Sequence, residues 1–253
     1  ESEQHLVSQV RQAVAARDEF LSIASHELKT PVTSLKLQLE LEMRRMARMT
    51  DRPSWVAGHK VDLISRQINR LARLIDELLD MTRIQSGKMK YNFDDVNLGD
   101  VVYELIDRYS DPLVLSSSKL VAVIQESVVI KADQFRIEQA IVNLLSNAMK
   151  YGQGKPVTIR VEARGVEAFV QVEDCGIGIP ADKQSLIFNR FERVSDESFV
   201  SGLGLGLFIV KEIVGAHHGY VTVRSEPGKG SSFTLTLPMP SAHLAKVIDI
   251  GIV

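Results

Sequence analysis

The chain has 253 residues, of which 45% are hydrophobic and 25% charged, a composition that excludes collagen-like, disulfide-rich and disordered classes. Thirty Lys and Arg against 32 Asp and Glu give a net charge of -2, so nucleic acid is not an expected partner. Cys175 is the single cysteine and permits no internal disulfide, and no apolar run approaches the roughly 18 to 20 residues of a membrane span. The length predicts one large or two modest domains. Because the sequence starts at Glu1 rather than at a methionine, we expect a fragment whose sensor or membrane part is missing.

The first third of the sequence predicts two long helices. From residue 4 to about residue 49, and again from Val61 to a C-cap at Ser86 and Gly87, apolar residues alternate spacings of three and four. Turn-forming residues at 50–54 separate the two runs, so an antiparallel hairpin is expected. A hairpin alone leaves an apolar flank exposed, which favours a homodimeric four-helix bundle. The apolar positions are Leu28, Val32, Leu35, Leu39, Met43 and Met46, then Ile64, Ile68, Leu71, Ile75 and Leu78.

Beyond residue 90, short alternating runs mix with helical patterns. A helix is predicted over 135–149 and another over 208–214. Strands are predicted at 121–124, 128–130, 157–163, 168–173, 220–225 and 232–237. The fold class is therefore α+β, with a helical domain at 1–89, a second domain at 90–240 and a tail at 241–253.

His26 lies early in the first helix, on the side away from the apolar stripe. At about 100° per residue, it stands roughly 120° to 180° from Val32, Leu35 and Leu39. Glu27 beside it could orient an imidazole or accept its proton, and Pro31 should bend the helix. These features suit either a nucleophile that another domain reaches or an ordinary structural histidine.

A polar face on the helix at 135–149 and two glycine-rich segments form a candidate nucleotide site. Asn143 and Asn147 are one turn apart and Lys150 follows on the same face, which fits magnesium and phosphate or a solvated polar surface. Asp174 ends a predicted strand, before Gly176 and Gly178, whose missing side chains would let a ligand approach the backbone.

The second glycine-rich segment, 202–206, directly precedes a helix, where backbone amides can meet phosphates. Gly176, Gly178 and Ala181 also match a relaxed dinucleotide-binding pattern, but the strand–helix–strand context is absent. His217 and His218, at a helix end, are interpreted as structural.

Taken in order, these motifs resemble those of the catalytic core of sensor histidine kinases. Residues 26–31 resemble the H box of that family, 143–151 the N box, 174–178 the G1 box, 188–191 the F box, 202–206 the G2 box, and 228–231 with Phe233 the trailing glycine box. The resemblance covers about residues 16 to 238.

The resemblance implies a dimerisation and histidine-phosphotransfer hairpin followed by an ATP-binding domain like that of gyrase and Hsp90. It implies that His26 is phosphorylated from ATP with Mg²⁺, assisted by Glu27, and that the phosphoryl group passes to an aspartate on a response-regulator receiver domain. Thr30 matches the position that orients water for dephosphorylating the regulator. Asn147 would hold magnesium. The implied nucleotide-binding residues are Asn143, Asn147, Lys150, Tyr151, Asp174, Gly176, Gly178, Arg193, Gly202, Leu203, Gly204, Leu205 and Gly206.

Two alternatives stay open at this point. One is an ATP-hydrolysing machine with the same nucleotide domain. Such ATPases carry a glutamate one turn before the metal-binding asparagine, where this sequence has Asn143. The other is a dimeric scaffold that binds nucleotide without transferring phosphate.

Overall fold

The computed structural model describes residues 28–37, 54–115, 119–193 and 203–240, with the backbone alone at 54–66, 70 and 109–115. The described residues fall into two compact units: those up to Gln85 form the first together with Leu203, and the others form the second. None of the helices in these ranges is long and apolar enough to cross a bilayer.

The first unit contains helical residues 28–37 (α1) and helix α2, Ser54–Gln85. Ser54 is therefore helical and not part of the turn, and α2 begins seven residues before Val61. His26 and Glu27 lie outside the described residues, as do Leu39, Met43 and Met46.

Helix α2 has two apolar faces rather than the single buried stripe predicted. Leu74 and Met81 are buried, whereas Ile68, Ile75 and Leu79 are 50%, 44% and 47% exposed. Val32 of α1, also expected in the buried stripe, is 49% exposed. The two faces of α2 are about 120° apart at 100° per residue, so one copy of the chain covers one face and leaves the other apolar face in water.

The second unit is an α+β domain, which confirms the predicted fold class. Its helices are α3 (Leu98–Leu115), α4 (Gln134–Tyr151) and α5 (Gly206–Ala216). Its strands are β1 (Asp94–Asn97), β2 (Leu120–Ile124), β3 (Val129–Ala132), β4 (Val157–Arg164), β5 (Glu167–Asp174), β6 (Tyr220–Glu226) and β7 (Gly230–Pro238).

The strands form two sheets. β1 pairs with β3 in an antiparallel ribbon, and the larger sheet has the order β2-β4-β5-β7-β6. Only the β2–β4 pair of the larger sheet is parallel. In β4 and β5 the buried residues alternate with more exposed ones, as expected where one sheet face meets helices. The core joins these strands to the buried faces of α4 and α5.

Strand β1 and helix α3 were not predicted from the sequence. Leu98, Val101, Val102 and Leu105 are fully or almost fully buried at the spacing i, i+3, i+4, i+7, which is a helical signal. The Asn97 side chain accepts a hydrogen bond from the Gly99 N–H at 3.1 Å and so caps the helix start.

Candidate functional site

Helix α4 presents the two predicted asparagines beside its buried face. The Asp133 carboxylate caps its first turn by accepting a hydrogen bond from the Arg136 N–H at 3.1 Å. Asn143 and Asn147 are both partly exposed, one turn apart. The Asn143 amide donates to the Gly206 carbonyl at 3.3 Å. This bond joins the N box helix to the first residue of α5, so the two segments predicted to hold phosphate are adjacent in space.

The end of α4 packs directly on the glycines after β5. The Ile177 N–H donates to the Tyr151 carbonyl at 3.2 Å. A Cβ atom on Gly176 would lie 2.0 Å from that same carbonyl oxygen, and one on Gly178 would lie 2.1 Å from the Glu226 carbonyl oxygen. Glycine is required at both positions because backbone packs against backbone where a side chain would stand. The expectation that a ligand approaches the backbone here stays a prediction.

Asp174 ends β5 as a buried carboxylate, 6% exposed. Its Oδ1 accepts a hydrogen bond from the Gly176 N–H at 2.8 Å. Burial raises the pKa of Asp174 above its usual value, while backbone N–H groups of Gly176 and Ser231 act in the opposite direction. The side chain is therefore held by fixed backbone donors, which leaves its remaining acceptor capacity for a ligand amine.

The two ends of the segment between the F box and the G2 box are tied together. The Phe191 N–H donates to the Gly204 carbonyl at 3.1 Å. Both residues have positive φ, 63° and 68°, and a Cβ on Gly204 would lie 2.9 Å from the Phe191 backbone. The Arg190 guanidinium lies 4.9 Å from the centre of the Phe208 ring. Residues 191 and 204 thus form a closed base for the segment between them, of which 194–202 lie outside the described residues.

Arg193 lies near enough to Tyr151 for its charge to act on the tyrosine hydroxyl. Burial raises the pKa of the Tyr151 hydroxyl, and the positive charge of Arg193 opposes that shift. Two residues that the resemblance implies in nucleotide binding are therefore near each other.

Not every predicted site residue is placed in this cluster. Gly202 falls outside the described ranges, and Thr30 lies exposed on α1 in the other unit. Lys150 is exposed near the end of α4. Leu203 and Leu205 are buried at 1% and 0%, so their side chains do not form part of an open nucleotide surface, and only their backbone could.

One set of supporting residues was missed. The Ser225 hydroxyl accepts a hydrogen bond from the Ile179 N–H and donates to the Gly230 carbonyl, both at 2.7 Å, and the Gln184 amide donates to the Ser225 carbonyl at 2.8 Å. These bonds hold the segment after the G1 box against β6 and β7. A single serine at the end of a strand gives no sequence signal for this role.

The site offers few protein ligands for a metal. In the described ranges, no group of three or more His, Cys, Asp or Glu side chains could hold an ion. Mg²⁺ commonly keeps several waters and binds through substrate phosphates with one or two protein oxygens. The partly exposed Asn147 amide fits that need.

The chain matches two protein families. Residues 16–87 match the His Kinase A (phospho-acceptor) domain, and residues 132–241 match the histidine kinase-, DNA gyrase B- and HSP90-like ATPase. The combination of these two domains defines the protein-histidine kinases.

Relatives match both domains together. The adaptive-response sensory kinase SasA of Crocosphaera subtropica is 31% identical over 88% of this chain and 59% of its own length. The sensor-like histidine kinase SenX3 of Mycolicibacterium smegmatis is 33% identical over 90% of this chain and 60% of its own length. The chain thus spans about three fifths of these relatives. It belongs to the sensor histidine kinases.

Solved structures share the fold. The histidine kinase AdeS of Acinetobacter baumannii superposes with a TM-score of 0.65 at 23% identity, covering 85% of this chain and 98% of AdeS. The histidine kinase ThkA, in complex with the response regulator TrrA, gives a TM-score of 0.64 at 22% identity, covering 91% of this chain and 64% of ThkA.

Proposed function

We propose that this chain transfers the γ-phosphoryl group of ATP to His26 and then to an aspartate of a response-regulator receiver domain. The observation that carries the proposal is the site in the second unit, where the end of α4 packs on the glycines that follow Asp174 and Asn143 is bonded to the start of α5. The phospho-acceptor family match over residues 16–87 includes His26.

Each residue has a role suited to its surroundings. Asp174, oriented by the Gly176 N–H, accepts a hydrogen bond from the adenine amine. Tyr151 flanks the nucleotide, and Lys150 and Arg193 neutralise phosphate charge. Asn147 is the protein ligand of Mg²⁺, which supplies further charge neutralisation when bound. Asn143, already joined to Gly206, keeps the N box and the G2 box together at the phosphates.

The transfer itself requires positioning more than covalent chemistry. An imidazole nitrogen of His26 attacks the γ-phosphorus, the bond to the bridging oxygen of ADP breaks, and ADP leaves. Glu27 orients the imidazole and takes up its proton. In the second step the phosphoryl group moves from His26 to the aspartate of the regulator, for which the ThkA–TrrA complex provides a parallel in a protein of the same fold. Thr30, exposed and four residues after His26 in the sequence, orients water for removing the phosphoryl group from the regulator.

The working form is a homodimer in the cytoplasm, where ATP is available. Ile68, Ile75 and Leu79 lie on one face of α2 and are about half exposed. Burying such apolar surface favours association by about 25 cal/mol per Å². A second copy of the hairpin covers this face of α2 in a four-helix bundle.

The test compares the parent chain with His26→Gln after incubation with γ-labelled ATP and Mg²⁺. A phosphoramidate is expected: label on the parent alone, lost in acid and retained in alkali. Asn147→Ala should also remain unlabelled, while the matched change Asn69→Ala, at an exposed asparagine of α2 outside the motifs, should leave labelling intact. Equal labelling of the parent and His26→Gln would contradict the assignment of His26. ATP binding without any label would support the scaffold alternative.

A further inference from the structure

Three polar residues stand side by side across one end of the large sheet. Asp174 of β5 is the register partner of Ser231 of β7, and Ser231 is in turn the partner of Ser225 of β6. Partner residues of antiparallel strands point to the same face of a sheet. Here it is the buried face, since Asp174 and Ser231 are 6% and 7% exposed. The row therefore connects the carboxylate assigned to the adenine amine with a serine two strands away.

The Ser225 hydroxyl uses all of its hydrogen-bonding capacity. It donates its one hydrogen to the Gly230 carbonyl oxygen at 2.7 Å and accepts from the Ile179 N–H, also at 2.7 Å. The Ser231 hydroxyl oxygen lies 3.0 Å away. Because a hydroxyl has one hydrogen and two lone pairs, Ser231 is the donor in this last contact. The end of β6, the start of β7 and the segment after the G1 box thus meet at one oxygen atom.

The bond to Gly230 fixes the peptide group between Gly230 and Ser231. A peptide group is planar and trans, so its carbonyl and its N–H point in opposite directions. The carbonyl of this group points to the Ser225 hydroxyl. Its N–H, on the other side of the plane, belongs to Ser231 and donates to the Asp174 carboxylate, where it opposes the effect of burial on the pKa. The orientation of one peptide plane therefore decides whether Asp174 keeps its second backbone donor.

The backbone at Gly230 has a conformation that other residues rarely adopt. Its φ is 111°, and a Cβ atom at this position would lie 2.0 Å from the Asp174 carbonyl oxygen. Glycine also has more conformational freedom to lose on folding than any other residue. The orientation of the peptide plane that follows Gly230 therefore depends on contacts from outside it, and the bond from the Ser225 hydroxyl is such a contact.

We propose that Ser225 is a positioning residue for recognition of the adenine base: its hydroxyl orients the peptide between Gly230 and Ser231, and this peptide holds the Asp174 carboxylate in place for the adenine amine. The proposal rests on the role given to Asp174 in the proposed function. Ser225 acts through the peptide and not by contact with the nucleotide. It should therefore affect the choice of base and leave unchanged the binding of the phosphates, which the proposed function places at the N box and the G2 box.

The test is calorimetric titration of the full chain with ADP and with purine riboside diphosphate, which has a hydrogen atom in place of the adenine amino group. Diphosphates have no γ-phosphoryl group, so the result does not depend on the transfer reaction. The parent should bind ADP roughly tenfold or more tightly than the analogue, as for one hydrogen bond to a charged group. In Ser225→Ala the Kd for ADP should rise roughly three- to tenfold, while the Kd for the analogue stays within about twofold of the parent value.

The ratio of the two Kd values separates positioning from a general structural defect, which would weaken both nucleotides equally. Ser232→Ala is the matched control, because its hydroxyl also takes part in a 2.7 Å hydrogen bond, from the Gln171 amide, but on the opposite face of β7. It should leave both Kd values unchanged. Ser225→Thr keeps the hydroxyl and should keep the parent ratio. If Ser225→Ala is unstable, Ser225→Cys, which is similar in size but a weak donor, should lower the ratio in its place.

The peptide plane is measured separately, without nucleotide, through hydrogen exchange of the Ser231 amide by NMR. We expect this exchange to be roughly five- to tenfold faster in Ser225→Ala, as for the loss of one hydrogen bond. Amides in the middle of β5 should exchange at the parent rate. An unchanged exchange rate at Ser231 would overturn the peptide as the route from Ser225 to Asp174.

The binding outcomes separate this proposal from the proposed function. The parent ratio of Kd values in Ser225→Ala, or an equal weakening of both nucleotides, would overturn the positioning role. A parent chain that binds the two diphosphates equally would refute the assignment of Asp174 and the proposal with it. A chain that shows the expected ratios but never becomes labelled by ATP would refute phosphoryl transfer and still support base recognition through Ser225.

Discussion

Asp174→Asn should separate nucleotide binding from stability. The substitution keeps the shape of the side chain and one oxygen, which can still accept from the Gly176 N–H. The other position then carries an NH₂ group, a donor, facing the adenine amine, which is also a donor. Loss of a hydrogen bond to a charged group costs about 1.5 to 3 kcal/mol, so the Kd for ATP should rise roughly 10- to 100-fold.

Stability should change little. Burial raises the pKa of Asp174 in the folded chain, so folding disfavours the charged form, and this cost diminishes as pH falls through the folded-state pKa. Asparagine carries no charge at any pH, but it keeps only one acceptor oxygen for the two backbone N–H groups of Gly176 and Ser231. Because these two effects oppose each other, we expect the thermal midpoint of Asp174→Asn at pH 7 to stay close to that of the parent.

The assay is calorimetric titration with ATP, together with thermal unfolding of the same samples. Asp95→Asn is the matched control, because this carboxylate is exposed and pairs with Lys131 at 3.1 Å away from the site; it should leave the ATP affinity unchanged. An Asp174→Asn variant that binds ATP within twofold of the parent would refute the assignment of Asp174. If the thermal midpoint of Asp174→Asn falls so far that unfolding explains the weaker ATP binding, the argument from burial is refuted.

Four further results are expected. Gly176→Ala places a Cβ 2.0 Å from the Tyr151 carbonyl oxygen. Because this backbone group cannot rotate away, the thermal midpoint should fall by several degrees. Gly215→Ala is the control, since there is open space around Gly215, and it should not lower the midpoint. Ile75→Glu should convert the dimer to monomer in sedimentation, whereas a glutamate at the exposed Arg73 should not. Cys175 is the sole thiol and is exposed, so ATP with Mg²⁺ should slow its modification by a maleimide several-fold; unchanged kinetics would place the nucleotide elsewhere. Because the pKa of His217 is lowered in the folded chain, the unfolded chain takes up the imidazole proton at a higher pH than the folded chain does. The free energy of unfolding should therefore decline as pH falls below about 6.5, and it should decline less in His217→Gln.

The periodic parts of the sequence predicted the fold well. Helix α4 was expected at 135–149 and is found at Gln134–Tyr151, because a stripe of apolar residues with one buried face determines a helix locally. Helix α3 has the same signal at Leu98, Val101, Val102 and Leu105 and could have been found. Strand β1 could not, because its four residues are defined by pairing with β3, more than 30 residues away.

The candidate site was likewise predictable from local sequence patterns only in part. Its residue types and order were visible in the sequence, and the family matches confirm the class of protein. The reason for each residue was not visible. Gly176 leaves room for the Tyr151 carbonyl, and the His217 ring accepts a hydrogen bond from the Asp133 N–H. Both contacts join segments that are distant in the sequence. Local pattern carries no information about such contacts.

The most direct test of the account is the fate of the γ-phosphoryl group in a single turnover with limiting labelled ATP. The account predicts that label appears on His26 before inorganic phosphate accumulates, since Asn143 offers no base for water where related ATPases carry a glutamate. Asn143→Glu should shift the product toward inorganic phosphate. Steady release of phosphate from the parent chain, with no label on His26 at any time, would contradict the account and identify the chain as an ATPase.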